Sequence, residues 1–364
     1  MAPPGAPGTP IALQGGDPYS PYFFLSGMPN SDPQQQAIFI GASSGGVYAM
    51  LDLVAALPAG FPAPIFFVQH IGAHRSQLAS LLSSRGPNRA VEAKEGDEPA
   101  PGTIYVAPSD HHMLLEGGVV RLTRGPKEHH ARPAIDPLFR SAALAYGPRA
   151  VGVVLTGMLD DGRAGLRAIK DCGGIAVVQD PAEAHEPSMP QSAMAAVQVD
   201  HVVPLRGMGQ LLFDLAQPRT GDLPATEAPA TLRREYAVAL GDRTVENLKA
   251  IGKPSMFSCP DCGGVLFELD DKRPVRYRCH TGHAFSVRSL AATQEQVTDL
   301  ALWTGLRALQ EKESILRRLA QVQKAEGVGD AEGSLREADE LAVASAALRK
   351  LTLKAPSPGS FDAS

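Results

Sequence analysis

From Ala37 onward, short and nearly continuous apolar runs alternate with amphipathic stretches of helical length. AIFIG (37–41), PIFFVQH (64–70), TIYVAP (103–108), AVGVVLTG (150–157) and GIAVVQD (174–180) read as strands. Runs this short with no polar face suit strands covered on both sides. Helices are expected through VYAMLDLVAAL (47–57), near SQLASLLSSR (76–85), and at DPLFRSAALAYG (136–147) and GRAGLRAIKDCG (162–173). HMLLEGGVVRLTR (112–124) carries the Gly-Gly turn of a β-hairpin. Strands separated by helices predict a doubly wound parallel sheet, a three-layer α/β/α domain over 37–216.

The flanks have a different texture. Residues 1–36 are rich in Pro, Gly, Ser and Gln without an apolar period, and read as a flexible lead-in. QPRTGDLPATEAPATL (217–232) opens a segment, 217–255, expected to be a linker and a short helix. A compact Cys/His module is expected at 256–286, a helical hairpin at 287–352 and a flexible tail at 353–364. The first hairpin helix (287–323) has Val297, Leu300, Trp303, Leu306, Leu309, Leu316 and Leu319 near helical spacing; the second covers 334–352. Such a stripe reads first as packing within the hairpin.

Composition narrows the function classes. Hydrophobic residues at 44% allow a core over most of the chain, and 34 Lys+Arg against 39 Asp+Glu give a net charge of −5, with no global pull toward nucleic acid. No apolar run approaches the ~18 residues of a membrane span. The N-terminus lacks the basic start and apolar stretch of a signal peptide. Four Cys in 364 residues exclude a disulfide scaffold. The expectation is a cytoplasmic protein with no membrane insertion and no nucleic-acid partner.

In open parallel sheets, ligands bind beyond the carboxyl ends of the strands. Ser43 and Ser44 follow the first strand in GASSGG, His70 closes the second, and Asp160 and Asp161 follow a later one in LTGMLDDG. Together they supply a hydroxyl nucleophile, an imidazole base and a carboxylate to orient it. The amides of the Gly45–Gly46 helix start are placed for an oxyanion. GASSGG also fits G-x-S-x-G, but α/β-hydrolases run Ser, acid, His along the chain, whereas here the order is Ser43, His70, Asp161. A dinucleotide site needs a third Gly where Val47 stands and an acid where Gln69-His70 closes the second strand.

IGASSGG, VQHI, TIYVAPSDHHM, ARPAIDPLF, GVVLTGMLDDG and SMPQSA, in this order over 37–205, resemble the catalytic domain of the CheB family of chemotaxis protein-glutamate methylesterases. The resemblance implies a Ser43 nucleophile, His70 as general base and Asp161 as orienting acid, acting without a cofactor. It implies hydrolysis of glutamyl methyl esters on chemoreceptor cytoplasmic helices, with glutamine deamidation as a second activity. Ser44 falls where the family usually has Thr, and Asp160 where it often has Asn. Ser44, Gly45, Met158, Met189 and His130 are the expected oxyanion or substrate-binding residues. The family's Arg-His-Arg-Pro reads His130-Ala131-Arg132-Pro133 here, so either His130 replaces the missing His through a small backbone shift or the segment is a polar loop. His74, His111, His112 and His185 are expected to be surface or loop residues. Typical chemotaxis members carry a receiver domain ahead of the catalytic one. Residues 1–36 leave no room for it, so activation by phosphorylation of the chain's own aspartate is not expected; either basal activity is substantial, or the ribbon and hairpin at 256–352 exert control through docking or self-association.

CPDCGG (259–264) and RCHTGHAF (278–285) hold three of the four cysteines. Paired ligands with short gaps close a tetrahedron, predicting one structural zinc on Cys259, Cys262, Cys279 and His283. His280, adjacent to Cys279, is worse placed. Cys172 is expected to be a packed thiol. Four basic and four acidic residues between Ser255 and Ser286 argue against a phosphate-binding ribbon. The C-terminal module fits docking to other chemosensory proteins or to a second copy better. Two alternative readings remain: a non-catalytic chemosensory scaffold, and a serine esterase acting on a different ester or amide.

Overall fold

The computed structural model describes residues 35–72, 76–218, 226–240, 245–271 and 274–353. Residues 1–34 of the expected 1–36 lead-in, His74, and residues 354–364 of the expected 353–364 tail lie outside the described residues. The chain divides into two compact units, Met1–Ser289 and Leu290–Ser364.

The first unit is built on β1 (Ala37–Ala42), α1 (Gly46–Ala56), β2 (Ile65–Gln69), α2 (Leu78–Arg85), β3 (Arg89–Glu92) and β4 (Thr103–Val106). A hairpin, β5 (His112–Glu116) and β6 (Val119–Thr123), follows, then α3 (Ile135–Tyr146), β7 (Ala150–Val154) and α4 (Arg163–Asp171). β8 (Ile175–Gln179), α5 (Ser188–Ala196), β9 (His201–Val203) and α6 (Leu205–Leu215) complete the α/β part. The seven strands run parallel in the order β3-β4-β2-β1-β7-β8-β9. This is the doubly wound three-layer sheet expected from the sequence.

Alternation along β1 feeds both layers. Ile38 and Ile40 join Met50, Leu53, Leu82 and Leu212 of α1, α2 and α6 on one face. Phe39 joins Leu138, Phe139, Leu166 and Ala193 of α3, α4 and α5 on the other. There Phe39, Phe66 and Tyr105 stack at 5.0 and 5.4 Å across three strands. The chain winds outward from β1 to one edge, returns to β7 beside β1, and winds to the other edge. The carboxyl ends of β2, β1 and β7 therefore lie side by side at the point where the winding reverses.

Two expected boundaries change. Part of the 217–255 segment is structural: α7 (Ala230–Ala239) buries Leu232 and Tyr236, and the Tyr236 hydroxyl donates to Leu115 O at 3.1 Å. Its Pro/Ala/Thr-rich approach hides a helix whose apolar residues sit one turn apart. After α8 (Val245–Lys249), the four-stranded antiparallel ribbon already starts with β10 (Gly252–Ser258). It continues with β11 (Val265–Leu269), β12 (Arg276–Cys279) and β13 (Ala284–Ser286). The ribbon is not a separate module, because it belongs to the same compact unit as the sheet.

A buried ionic cluster joins the two. Glu128 Oε1 accepts from Arg140 at 2.5 Å and from Arg278 of β12 at 3.0 Å, and Glu235 of α7 accepts from Arg276 at 2.7 Å. Burial opposes the charge on Glu128, but the Arg140 and Arg278 guanidiniums outweigh it and hold the carboxyl well below the usual range.

Helices α9 (Val287–Glu326) and α10 (Ala331–Thr352) follow. In the second unit they fold back on one another, with Lys312 paired to Glu337 at 2.7 Å and Arg317 to Asp339 at 2.9 Å. Asp330 caps α10 by accepting the Gly333 amide at 2.8 Å. Among the described residues, no helix is long and apolar enough to cross a membrane.

Candidate active site

Ser43 stands where β1 turns into α1. The left-handed turn into the helix falls on Gly45 (φ 76°), which bears it without a Cβ. The Ser43 amide donates to Thr156 O at 3.0 Å and the Thr156 hydroxyl to Ser44 O at 2.9 Å, tying this turn to the end of β7. Gly157 lets the two segments close: a Cβ there would come within 2.9 Å of Ser43 Cβ and 2.1 Å of Met189 Sδ.

His70 leaves the end of β2 with its ring beside Ser43. Its Nδ1 lies 3.0 Å from Ser43 Oγ and its Nε2 lies 2.7 Å from Asp161 Oδ2. A carboxylate accepts, so the neutral ring carries its proton on Nε2 and offers the Nδ1 lone pair to the serine hydroxyl. The preceding Gln69 is buried at the strand end, and its amide donates to Ser43 O at 2.8 Å.

Asp161 is buried and held from several sides. Besides His70, its oxygens accept from the amides of Ile135 (2.7 Å), Asp136 (3.0 Å) and Gly162 (2.7 Å). Ile135 and Asp136 open α3, so the carboxylate caps that helix through space and meets its positive end. Burial works against the charge, but the His129 cation, the His70 hydrogen bond and these amides prevail and keep the carboxyl below its ordinary range.

His129 is the member that sequence reasoning missed. Its Nε2 donates to Asp136 Oδ2 at 3.0 Å and lies 3.7 Å from Asp161 Oδ1, while Nδ1 donates to Ser289 Oγ at 3.0 Å. Burial disfavours the imidazolium, yet Asp161, Asp136 and Asp160 together raise its pKa to about 10, so the ring is charged at neutral pH.

The expectation for His130 is corrected. That ring turns away to Asp261 at 2.8 Å, and its side chain is 51% exposed. Both residues adopt left-handed backbone, φ 51° at His129 and 61° at His130, and the resulting turn sends the first ring inward and the second outward. His112 is also no surface residue. It is 1% exposed, donates from Nε2 to Pro126 O and accepts the Ala134 amide at Nδ1, and burial lowers its pKa to about 4.

Of the remaining expected site residues, Ser44 and Gly45 are half-buried beside Ser43. Met189 is buried behind Gly157, and Met158 is 57% exposed. Of the two glycine amides expected to meet an oxyanion, that of Gly46 donates to Ser43 O at 2.9 Å and is spent in the turn.

The model of the family described as CheB methylesterase matches residues 38–212. A Leptospira interrogans protein, provisionally named protein-glutamate methylesterase/protein-glutamine glutaminase, is 40% identical over 184 residues, 50% of this chain and 95% of that protein. The chain belongs to the CheB methylesterase family. Two longer relatives are covered over about half of their length. They are the protein-glutamate methylesterase FrzG of Myxococcus xanthus (38% identical, 50% of this chain, 55% of that protein) and a Pyrococcus abyssi protein-glutamate methylesterase/protein-glutamine glutaminase (42%, 48% and 49%). The crystal structure of the Thermotoga maritima CheB methylesterase catalytic domain is 33% identical, with a TM-score of 0.48, covering 50% of this chain and 98% of that one. Ser43, His70, Asp161 and His129 all lie inside the family match, while α7, the ribbon and the two long helices lie beyond it.

The ribbon brings Cys259, Cys262, Cys279 and His283 together, with one ligand atom of each within 4.8 Å of the others. Two tight turns do this: the Gly263 amide returns to Cys259 O at 2.8 Å, and the Gly282 amide to Cys279 O at 2.8 Å. Cys262 and Cys279 sulfurs are 3.7 Å apart, and His283 Nδ1 is 3.7 Å from Cys259 Sγ and 3.5 Å from Cys279 Sγ. A tetrahedral zinc with bonds of about 2.0–2.3 Å separates its ligand atoms by roughly 3.4–3.8 Å, so the donor set fits that ion. His280 is exposed and stays out of the cluster. Cys172 is a buried free thiol, and burial raises its pKa to about 11.

Proposed function

We propose that the protein is a protein-glutamate methylesterase that removes methyl groups from glutamyl esters on chemoreceptor cytoplasmic helices, in chemosensory signalling. The observation that carries this reading is the continuous chain from Ser43 Oγ through both His70 nitrogens to Asp161, inside the family match. Ser43 Oγ attacks the ester carbonyl as His70 Nδ1 takes its proton. Asp161 keeps the other proton on Nε2 and offsets the imidazolium charge that develops. Collapse of the tetrahedral adduct expels methoxide, which leaves as methanol with the proton from Nδ1. Water then enters by the same route and releases the glutamate and free Ser43. A glutamine side chain would pass through the same acyl-enzyme with loss of ammonia, and the names of the relatives support this second activity.

Ser44 and Gly45 are the residues proposed to face the oxyanion, with Met189 backing the serine and Met158 at the solvent side. No step of this route calls on a cofactor. Cys259, Cys262, Cys279 and His283 are proposed to hold one structural zinc, and the cytoplasm is the compartment that a receptor-helix substrate requires. The hairpin, with Leu300, Ile315 and Val343 exposed, is proposed to meet another chemosensory protein or a second copy. Incubation with receptor that carries both methyl-glutamates and glutamines tests the reading. Methanol, with or without ammonia, is expected; a receptor left unchanged, alongside hydrolysis of some other ester, would point to a different substrate.

A further inference from the structure

Two serines where the ribbon runs into α9 reach Asp160 and His129, the side chains packed beside the triad's acid. Ser286 closes β13, Ser289 lies in the first turn of α9, and both are buried, at 3% and 1% exposure. Ser286 Oγ donates to Asp160 Oδ1 at 2.6 Å, and Ser289 Oγ accepts from His129 Nδ1 at 3.0 Å. Each hydroxyl is fixed by the other's backbone: the Ser286 amide donates to Ser289 Oγ at 2.9 Å, and the Ser289 amide to Ser286 Oγ at 3.0 Å. This is the reciprocal bonding of a helix N-terminal capping box, with both side chains turned to a second use.

That second use follows from the charges at Asp161. Three buried carboxylates, those of Asp136, Asp160 and Asp161, surround the single His129 ring. The ring bonds Asp136 through Nε2 at 3.0 Å and Ser289 through Nδ1 at 3.0 Å, and in that pose lies 3.7 Å from Asp161. Without that hydroxyl a buried N–H loses its acceptor, and Asp160 Oδ1 stands 4.0 Å from it. The ring would swing toward Asp160 and loosen its hold on Asp161.

We propose that Ser286 and Ser289 are positioning residues of the Ser43–His70–Asp161 set, so that the ribbon is a working part of the active site. The serines fix Asp160 and His129, and through them the place of the Asp161 carboxylate. The proposal rests on the reading of Ser43 as the nucleophile. Its test uses the rate at which a fluorophosphonate labels Ser43 in the full-length chain, which does not depend on the identity of the natural ester.

Ser289→Ala is expected to label on the order of tenfold more slowly than wild type, to the same final stoichiometry. In a His129→Gln background, the same change is expected to cost nothing further, because the two act as one unit. Ser286→Ala, acting through Asp160, is expected to slow labelling too, and serves where Ser289→Ala folds poorly. A purely structural role would lower the stoichiometry at an unchanged rate per labelled molecule, and would add to His129→Gln; either result overturns the proposal. So does labelling of both serine variants at the wild-type rate. No labelling in wild type would overturn the assignment of Ser43 along with it, whereas labelling by a chain that leaves receptor esters intact overturns only the substrate.

Discussion

Replacing Arg278 by Met removes a charge from the seam between the ribbon and the α/β sheet while keeping an unbranched apolar side chain of similar reach. In the native chain Arg278 is 1% exposed; it donates to Glu128 Oε1 at 3.0 Å and to Gly282 O at 2.8 Å. The variant leaves Glu128 buried with Arg140 as its remaining cation. Unit charges about 4 Å apart attract by about 4 kcal/mol at an effective dielectric constant near 20. Part of that loss is returned because the guanidinium no longer has to be desolvated. Breaking a buried pair from one side costs about 3–5 kcal/mol, and the surviving Arg140 contact places this case at about 3 kcal/mol. Urea denaturation of the full-length protein, followed by circular dichroism, should show a lower midpoint at an unchanged slope. A loss below about 1 kcal/mol, as for a surface ion pair, would refute the reasoning and mean that Glu128 does not anchor the ribbon.

Asp161→Asn keeps the shape of the site but lets His70 take the wrong tautomer; esterase turnover should fall by about 10⁴, and activity within tenfold of wild type would contradict the assigned role. Purified protein should contain one zinc per chain by elemental analysis. Cys259→Ser should lose it and destabilise the ribbon, and metal-free wild type would count against the site. Stability should depend on pH at both ends. His129 is raised to about 10 in the folded chain, so its stabilisation, on the order of a few kcal/mol, is whole below about 6.5 and is lost as pH climbs through about 10. His112 is lowered to about 4, so stability also declines as pH drops from about 6.5 to 4, where the unfolded chain binds a proton that the folded one refuses. Thermal midpoints across this range should form a dome, and His129→Gln should flatten its alkaline side.

The strands that carry the site were legible because β1, β2, β7 and β8 are buried on both faces and so read as unbroken apolar runs. The edge strands were not: RAVE of β3 and HVV of β9 are short and half-polar, as a strand with one neighbour can be. Ser43 and His70 could be found because each follows an apolar strand directly, and Asp161 because it lies in the Asp-Asp-Gly turn between apolar β7 and the start of α4. His129 could not, since which of two adjacent histidines points inward depends on two left-handed residues that no periodicity signals. Ser286 and Ser289 were further from reach, being separated from Asp160 and His129 by 126 and 160 residues. In sequence they read as ordinary helix-start residues. The polar residue Gln69 at the end of an otherwise apolar strand was a usable signal, because an amide buried there needs partners, and it finds Ser43 O.

The central claim, that Ser43 hydrolyses glutamyl methyl esters, is tested most directly by methanol release from radiolabelled, methylated chemoreceptor. Wild type should release methanol steadily, and Ser43→Ala should release none while its circular dichroism and thermal midpoint match the wild type. Release by Ser43→Ala at the wild-type rate, or none from a folded wild type, would contradict the account.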